Sequence, residues 1–223
     1  MAERYTLFEI EKLRDRFRLP GGVPAGVKRN YNISPTQLGS VIVNRDGVAT
    51  LERMKWGFIP ANAKDSNSVF RYKTYVAKSE GIFNKTTWQE SIRHSRCLVP
   101  ANGYFEWQKT MDGKLPFYVR PTNQDVFAFA GICSSWTDPD GVQWGTYAIV
   151  TALHDRGPKM SLQRPIILSP NDEAEWLDPA IDDMNTLYGL MRPMSEDMLQ
   201  IHRVTTDVKS VKANSAQLIA PTT

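Results

Sequence analysis

The sequence has few of the residues from which metal and redox sites are built. Its 223 residues include two cysteines, Cys97 and Cys133, and three histidines. The cysteines form no CxxC pair, and no Cys/His cluster has the spacing of metal ligands. We therefore expect two small buried thiols in a reducing compartment, the cytoplasm, and neither a metal nor a cofactor.

Long apolar runs and common catalytic motifs are also missing. No run of 18 apolar residues is present, so we expect no membrane-spanning helix. The first four residues, Met-Ala-Glu-Arg, do not open an apolar segment of the kind that secretory signals contain. There is no glycine-rich phosphate loop, no HExxH and no GxSxG, which argues against nucleotide-binding enzymes, zinc peptidases and serine hydrolases of those classes.

Positive charge is concentrated in the middle of the chain. The net charge is only +3, but residues 71–96 hold six basic and two acidic side chains, whereas residues 172–183 hold six acidic and no basic ones. A local basic excess favours contact with phosphates. Charge alone leaves an alternative open, in which both segments are ordinary solvated surfaces.

Helices are predicted mainly near the two ends of the chain. Apolar residues at helical spacing predict an amphipathic helix over residues 6–18. Ser169, followed by Pro170 and acidic residues, is typical of a capped helix start. A second capped helix is predicted near Ser195.

Strands are predicted through the first two-thirds of the chain. Residues 41–43 and 50–54 are separated by Asp46-Gly47, which predicts a hairpin with a tight turn. Further strands are expected over residues 96–109, 115–121, 125–133 and 147–150. With helices at the ends, this arrangement predicts an α+β fold in one domain over residues 1–223.

One carboxylate is a candidate for acid–base chemistry. Glu106 lies between Phe105 and Trp107 in a predicted strand, within the segment RCLVPANGYFEW at residues 96–107. Burial between aromatic side chains raises the pKa of a carboxyl and suits it to proton transfer. An ordinary glutamate on the polar face of a strand is the alternative.

The segment at residues 96–107 resembles a landmark of the SRAP family, whose members cap abasic sites in single-stranded DNA. Other segments are similar to further family landmarks and follow in the same order. They are YNISP at 31–35, WGFIP at 56–60, FAG at 129–131, QRPIIL at 163–168 and the valines at 204 and 208. The resemblance covers essentially the whole chain. It implies a strand-rich, barrel-like core with flanking helices and a role in the DNA damage (SOS) response.

The resemblance also implies a chemistry. In the family, a cysteine at position 2 presents its α-amine and thiol to the aldehyde of an open abasic sugar, and the two groups close a stable thiazolidine. A glutamate shuttles protons, a histidine assists sugar opening and an asparagine helps to hold the site. The same residues remove a leading peptide, which explains the word peptidase in the family name. Glu106 matches the glutamate.

The chain departs from the family at the other chemical positions. The cysteine is replaced by Ala2, the asparagine by Val76 and the histidine by Ser161. Neighbouring motif positions differ too, with Glu3 for glycine, Asn62 for tryptophan, Lys78 for arginine and Gln163 for arginine. Without a thiol at position 2, we expect the stable crosslink and the autopeptidase activity to be lost. His154, in a similar string seven residues earlier, is an alternative histidine that would need a different loop path.

DNA is the partner that the resemblance implies. The candidate DNA-binding residues are Arg4, Asn32, Pro35, Arg71, Lys78 and Arg164. The favoured interpretation is a monomeric binding module for single-stranded or junction DNA with abasic sites. The alternative is an enzyme in which the α-amine of Ala2 forms a reversible imine and Glu106 acts as acid or base. A third interpretation is a paralogue that no longer contacts DNA.

Overall fold

The computed structural model describes residues 3–111, 113–154 and 163–222, apart from the side chains of Ser68 and Phe70. The strands are β1 (Tyr5–Leu7), β2 (Asn30–Ile33), β3 (Leu38–Arg45), β4 (Val48–Trp56), β5 (Val76–Lys78), β6 (Arg96–Ala101), β7 (Gly103–Thr110), β8 (Gly113–Pro121), β9 (Phe127–Thr137), β10 (Gln143–Leu153), β11 (Gln163–Pro165), β12 (Ile167–Leu168) and β13 (Leu199–Arg203). The α-helices are α1 (Leu13–Arg16), α2 (Ser68–Arg71), α3 (Gln89–His94), α4 (Pro170–Leu177) and α5 (Met184–Leu190).

Five strands close into a barrel. β3 pairs with β4 and β6, β9 pairs with β6 and β10, and β10 returns to β4 in parallel. Three short strands pair with barrel strands. β5 and β11 pair with β10, and β12 pairs with β9. The barrel interior is filled by large buried side chains, including Trp56, Phe129 and Tyr147.

A second sheet lies against the barrel. It has five antiparallel strands in the order β13-β8-β7-β1-β2, so the N-terminal strand β1 is held between β7 and β2. Tyr5 and Tyr104 on its inner face both pack edge-on against Phe129 of the barrel, with ring centroids 6.1 and 5.7 Å away. The aromatic core therefore fixes the position of β1, and with it the start of the chain, relative to the barrel.

The α+β fold class and the barrel-like core with flanking helices are confirmed. The hairpin is confirmed as β3–β4, with Asp46 and Gly47 both at positive φ, 53° and 84°, as a two-residue type I′ turn requires. The capped helix is confirmed as α4, where the Asp172 amide donates to Ser169 Oγ at 3.3 Å. Both cysteines are buried free thiols, as expected.

Two helix predictions are wrong. Residues 5–7 form strand β1, and the rest of the predicted helix over 6–18 is reduced to a 3₁₀ turn at Ile10–Lys12 and to α1. Backbone pairing with two neighbouring strands outweighs the helical periodicity, because it buries all three side chains of β1. Near Ser195 the structure has a single 3₁₀ turn, Glu196–Met198, which leads straight into β13.

The helices of the described residues are short. None of them is long and apolar enough to cross a membrane.

Candidate functional site

The N-terminal strand brings Glu3 to Glu106. Tyr5 pairs with Tyr104, and the Phe105 amide donates to the Arg4 carbonyl at 2.9 Å. The same antiparallel register places Glu3 level with Glu106. Side chains two residues apart on a strand share a face, so both carboxylates lie on the face that carries Tyr5 and Tyr104 towards the barrel.

Glu106 is fully buried, with 0% of its surface exposed. Tyr104 is also buried, and this burial raises the pKa of its hydroxyl, with the nearby charge of Glu106 raising it further. The positive charge of Arg164 acts on the same hydroxyl in the opposite direction. The burial of Glu106 contradicts the alternative, an ordinary glutamate on the polar face of a strand.

Glu3 contacts the barrel through Tyr75. The Tyr75 hydroxyl donates to Glu3 Oε1 at 3.0 Å, and Trp56 Nε1 donates to the Tyr75 carbonyl at 2.8 Å. Burial and the Glu3 carboxylate both raise the pKa of Tyr75, so its hydroxyl keeps its proton and remains a donor at neutral pH. A carboxylate thus stands where the family has a glycine, which has no side chain.

Val76 and Lys78 follow directly on β5. Val76 is buried, whereas Lys78 is exposed, and the strand runs parallel to β10 between Ile149 and Thr151. The isopropyl group of Val76 has no hydrogen-bonding atom, so it cannot replace the amide of an asparagine. The ammonium group of Lys78 is available to a partner in solution.

A polar network joins the ends of β5, β10 and β11. Glu80 accepts hydrogen bonds from the Leu153 amide at 2.6 Å and from Gln163 Nε2 at 3.1 Å. Thr151 Oγ1 donates to Gln163 Oε1 at 2.9 Å. Gln163 therefore has a structural role. Its amide nitrogen donates to the Glu80 carboxylate, and its amide oxygen accepts from the Thr151 hydroxyl.

Arg4 and Asn32 hold the C-terminal tail. Arg4 donates to Asn32 Oδ1 at 3.1 Å and to the Lys209 carbonyl at 2.9 Å. The Asn32 amide is buried, and its nitrogen lies within 3.3, 2.9 and 2.9 Å of the carbonyl oxygens of Val208, Ser210 and Ala213. Both residues thus have internal partners, and their assignment to DNA remains a prediction.

The other candidate DNA-binding residues differ in exposure. Arg164 is buried, and it forms an ion pair with Glu196. Pro35 is half-buried in the loop after β2, and Arg71 is exposed at the end of α2. Of the six candidates, only Arg71 and Lys78 are fully exposed cations among the described residues.

The basic segment at 71–96 is divided by the fold. Arg96 is buried and donates to the carbonyls of Ile92 at 2.9 Å and Trp176 at 2.6 Å, so it joins the ends of α3 and α4. Arg93 donates to the Asp182 carbonyl at 3.2 Å. Arg93 and Arg96 therefore contact the acidic region, whereas the basic side chains at 71, 73, 78 and 85 are exposed.

Two candidate positions are not described by the structure, and a third lies next to a gap. Ala2 and Ser161 both lie outside the described residues. His154 is the last described residue before the second gap and is half-buried directly after β10. Its role as a replacement histidine stays a prediction.

Tyr75 and Tyr104 belong to this site, and the sequence analysis missed both. Tyr104 stands two residues before Glu106, so strand alternation could have placed it on the same face. Tyr75 has no such local signal, because its partner Glu3 is 72 residues away in the chain. Within the described ranges, no group of three or more His, Cys, Asp or Glu side chains could hold a metal ion.

These features define a class of protein, an α+β barrel whose N-terminal strand lies beside one buried glutamate. The chain belongs to the SOS response associated peptidase (SRAP) family, whose model matches residues 1–211.

Relatives and solved structures agree with this assignment. The chain is 32% identical to the abasic site processing protein YoqW of Bacillus subtilis, over 98% of this chain and 99% of that one. It is 29% identical to the abasic site processing protein YedK of Escherichia coli, over 86% and 84% of the two chains. A crystal structure of a Bacteroides thetaiotaomicron protein superposes with a TM-score of 0.89 at 22% identity, over the whole of both chains. One from Bordetella bronchiseptica has a TM-score of 0.74 at 17% identity, over 92% of this chain and all of that one.

Proposed function

We propose that this SRAP-family protein binds single-stranded or junction DNA, including DNA with abasic sites, and does not form a stable covalent bond to it. The binding surface carries the exposed cationic side chains of Arg71, Lys73 and Lys78. It adjoins the site formed by Glu3, Tyr75 and Glu106. The observation that carries the proposal is the exposure of Arg71 and Lys78, because it leaves their charges available to phosphates.

The proposed loss of covalent chemistry follows from position 2. An amine and an aldehyde form an imine with release of water, and only a second nucleophile converts this reversible bond into a stable ring. Alanine supplies no such nucleophile. Glu3 opposes the first step as well, because a nearby carboxylate favours the protonated amine, which cannot attack the aldehyde.

Binding through Lys78 is expected to depend on salt. Replacing Lys78 with alanine should weaken binding of single-stranded DNA and flatten the slope of log affinity against log salt concentration by roughly 0.7, the value for one phosphate contact on a single strand. Fluorescence anisotropy with a labelled oligonucleotide at several salt concentrations measures both quantities.

Lys114→Ala is the matched control. Lys114 is an exposed lysine in the β7–β8 hairpin of the other sheet, so its removal changes the net charge equally. We expect it to leave the slope unchanged. Equal effects of the two substitutions, or no binding by the unaltered protein at low salt, would contradict the proposed surface.

Glu3 is expected to weaken DNA binding. Glu3→Gln removes a negative charge beside the phosphate surface and keeps an oxygen that can accept from Tyr75, so affinity should rise roughly two- to tenfold at low salt. Tyr75→Phe is the control, since it removes the hydrogen bond and keeps the charge, and it should give no gain. A Glu3→Gln protein that binds no better than the parent would place Glu3 away from the DNA.

An enzyme with residual imine chemistry is the second candidate. It is favoured by one observation, the burial of Glu106 on the strand that pairs with the start of the chain. Borohydride reduces an imine to a permanent bond. A DNA–protein crosslink that appears only with borohydride, and that is lost when the N-terminal amine is blocked, would support this enzyme over a simple binding module.

A further inference from the structure

Tyr72 forms an exposed corner of the molecule between α2 and β5. Its surface is 68% exposed, although tyrosine usually buries most of its ring. The residues on either side, Arg71 and Lys73, are exposed as well. An aromatic ring thus stands in solvent between two cations.

The backbone on both sides of this corner is held by hydrogen bonds. The Thr74 amide donates to the Val69 carbonyl and the Phe58 amide to the Thr74 carbonyl, both at 3.1 Å. Val69 is buried against Gly57, where an added Cβ would lie 2.5 Å from Val69 Cγ1. The corner is therefore anchored to the barrel at its base.

The turn is closed in a conformation that most side chains avoid. Lys73 has a φ of 52°, in the left-handed region, and the Val76 amide donates to the Lys73 carbonyl at 3.2 Å. Residues that hold such a conformation are concentrated at functional sites. Here it turns the chain from the exposed residues 71–73 back to the barrel, where Thr74 and Tyr75 are buried.

Other exposed aromatic rings of the described chain have partners of their own. Trp144 donates to Asp138 Oδ2 at 2.9 Å and lies under the Lys55 ammonium, and Tyr188 lies 4.8 Å from the Phe83 ring. Within residues 3–111, 113–154 and 163–222, Tyr72 has no ring contact and no side-chain hydrogen bond. Its exposure therefore has no explanation within the described fold.

We propose that Tyr72 is a stacking platform for a nucleobase of single-stranded nucleic acid, with Arg71 and Lys73 contacting the phosphates on either side. Aromatic rings beside basic side chains are the usual means of holding single strands without reading their sequence, because every base has a flat face. A tyrosine has only two side-chain torsions, so a ring on an anchored backbone loses little conformational entropy on binding. This inference rests on the proposed function, and it adds a contact that acts on the base.

The position of Tyr72 in the sequence supports its proposed role in stacking. Tyr72 is three residues before Tyr75, which contacts Glu3, and six residues before Lys78. A single strand that lies along residues 72–78 would therefore place a base at the corner and its neighbouring sugar–phosphate near the start of the chain.

The test compares Tyr72→Ala with Tyr72→Phe. Base stacking on an aromatic ring changes affinity roughly five- to hundredfold per base, so the alanine variant should bind that much more weakly. The phenylalanine variant should bind like the parent, because it keeps the ring. Neither should change the salt slope, since neither removes a charge. An oligonucleotide with 2-aminopurine reports stacking directly, by fluorescence quenching in the parent and in Tyr72→Phe but not in Tyr72→Ala.

Failure of this inference can be told from failure of the proposed function. If the parent binds and Tyr72→Ala binds equally well, stacking is overturned while DNA binding stands. The same holds if Tyr72→Ala flattens the salt slope, since the residue would then act through phosphates. If the parent does not bind at low salt, both proposals fail. Equal thermal melting curves of the three proteins exclude an effect through the fold.

Discussion

Ala2→Cys combined with Glu3→Gly is expected to give this protein a heat-stable crosslink to abasic single-stranded DNA, whereas we expect none from the parent chain. The cysteine supplies the missing thiol, whose sulfur adds to the imine carbon while its proton passes to the nitrogen. The glycine removes the carboxylate that contacts Tyr75, which we propose disfavours the reactive, unprotonated amine. Incubation followed by denaturing gel electrophoresis without reductant measures the product.

The rate of crosslinking should increase with the number of family residues that are restored. Ala2→Cys alone should react slowly, and adding Val76→Asn and Ser161→His to the double variant should accelerate it. Replacing Glu106 with alanine in the fullest variant should slow the reaction by roughly 10²- to 10⁴-fold, the range for general acid–base help. Intact mass of the free protein confirms removal of Met1. If the fullest variant stays folded, loses Met1 and never reacts, the correspondence of these positions with the family site is wrong.

Asn32→Ala is expected to destabilise the protein by roughly 1–3 kcal/mol, because backbone carbonyls of the tail would lose the buried amide that donates to them. Arg4 would lose an acceptor in the same step. The denaturant midpoint, followed by tryptophan fluorescence, gives the change. Asn185→Ala, at an exposed position in α5, is the control and should shift stability by less than about 0.5 kcal/mol.

The same variant separates two roles for Asn32. Lost stability with DNA affinity retained below the unfolding range would make Asn32 a structural residue that anchors the tail. Unchanged stability with lost affinity would support its prediction as a DNA contact. The family motif at 31–35 is compatible with either outcome.

Local patterns were sufficient where the structure is decided locally. The Asp46-Gly47 turn and the Ser169 cap were predicted correctly, because each depends on a few adjacent residues. The helix over 6–18 was predicted incorrectly. Its first part is strand β1, which is stabilised by β2, more than 20 residues further on, and by β7, nearly 100 residues further on. A single-sequence pattern has no access to such partners.

The candidate site, too, was predictable from the sequence only in part. Glu106 was identified from its aromatic neighbours and from the family landmark, and its burial is confirmed. Whether a basic side chain points into the core or into solvent was not predictable, because a sequence motif gives the residue's place in the chain and not the orientation of its side chain. Arg164 is therefore found buried and paired with the exposed Glu196, and Lys78 in solvent, although both were predicted as DNA-binding residues. The Glu3–Tyr75 contact depends on how two sheets meet.

The central place of β1 in its sheet has a consequence for biosynthesis. The strand leaves the ribosome first, but β7 follows nearly 100 residues later, and the tail that Arg4 binds follows after about 200. At roughly 5–20 residues per second, β1 waits about 5–20 s for β7 and about twice that for the tail. During this interval its edge towards β7 is unpaired, although β2 follows much sooner. Nascent-chain protease sensitivity should therefore persist at the N-terminus until translation is almost finished, and the Arg4–Lys209 contact should be among the last to form.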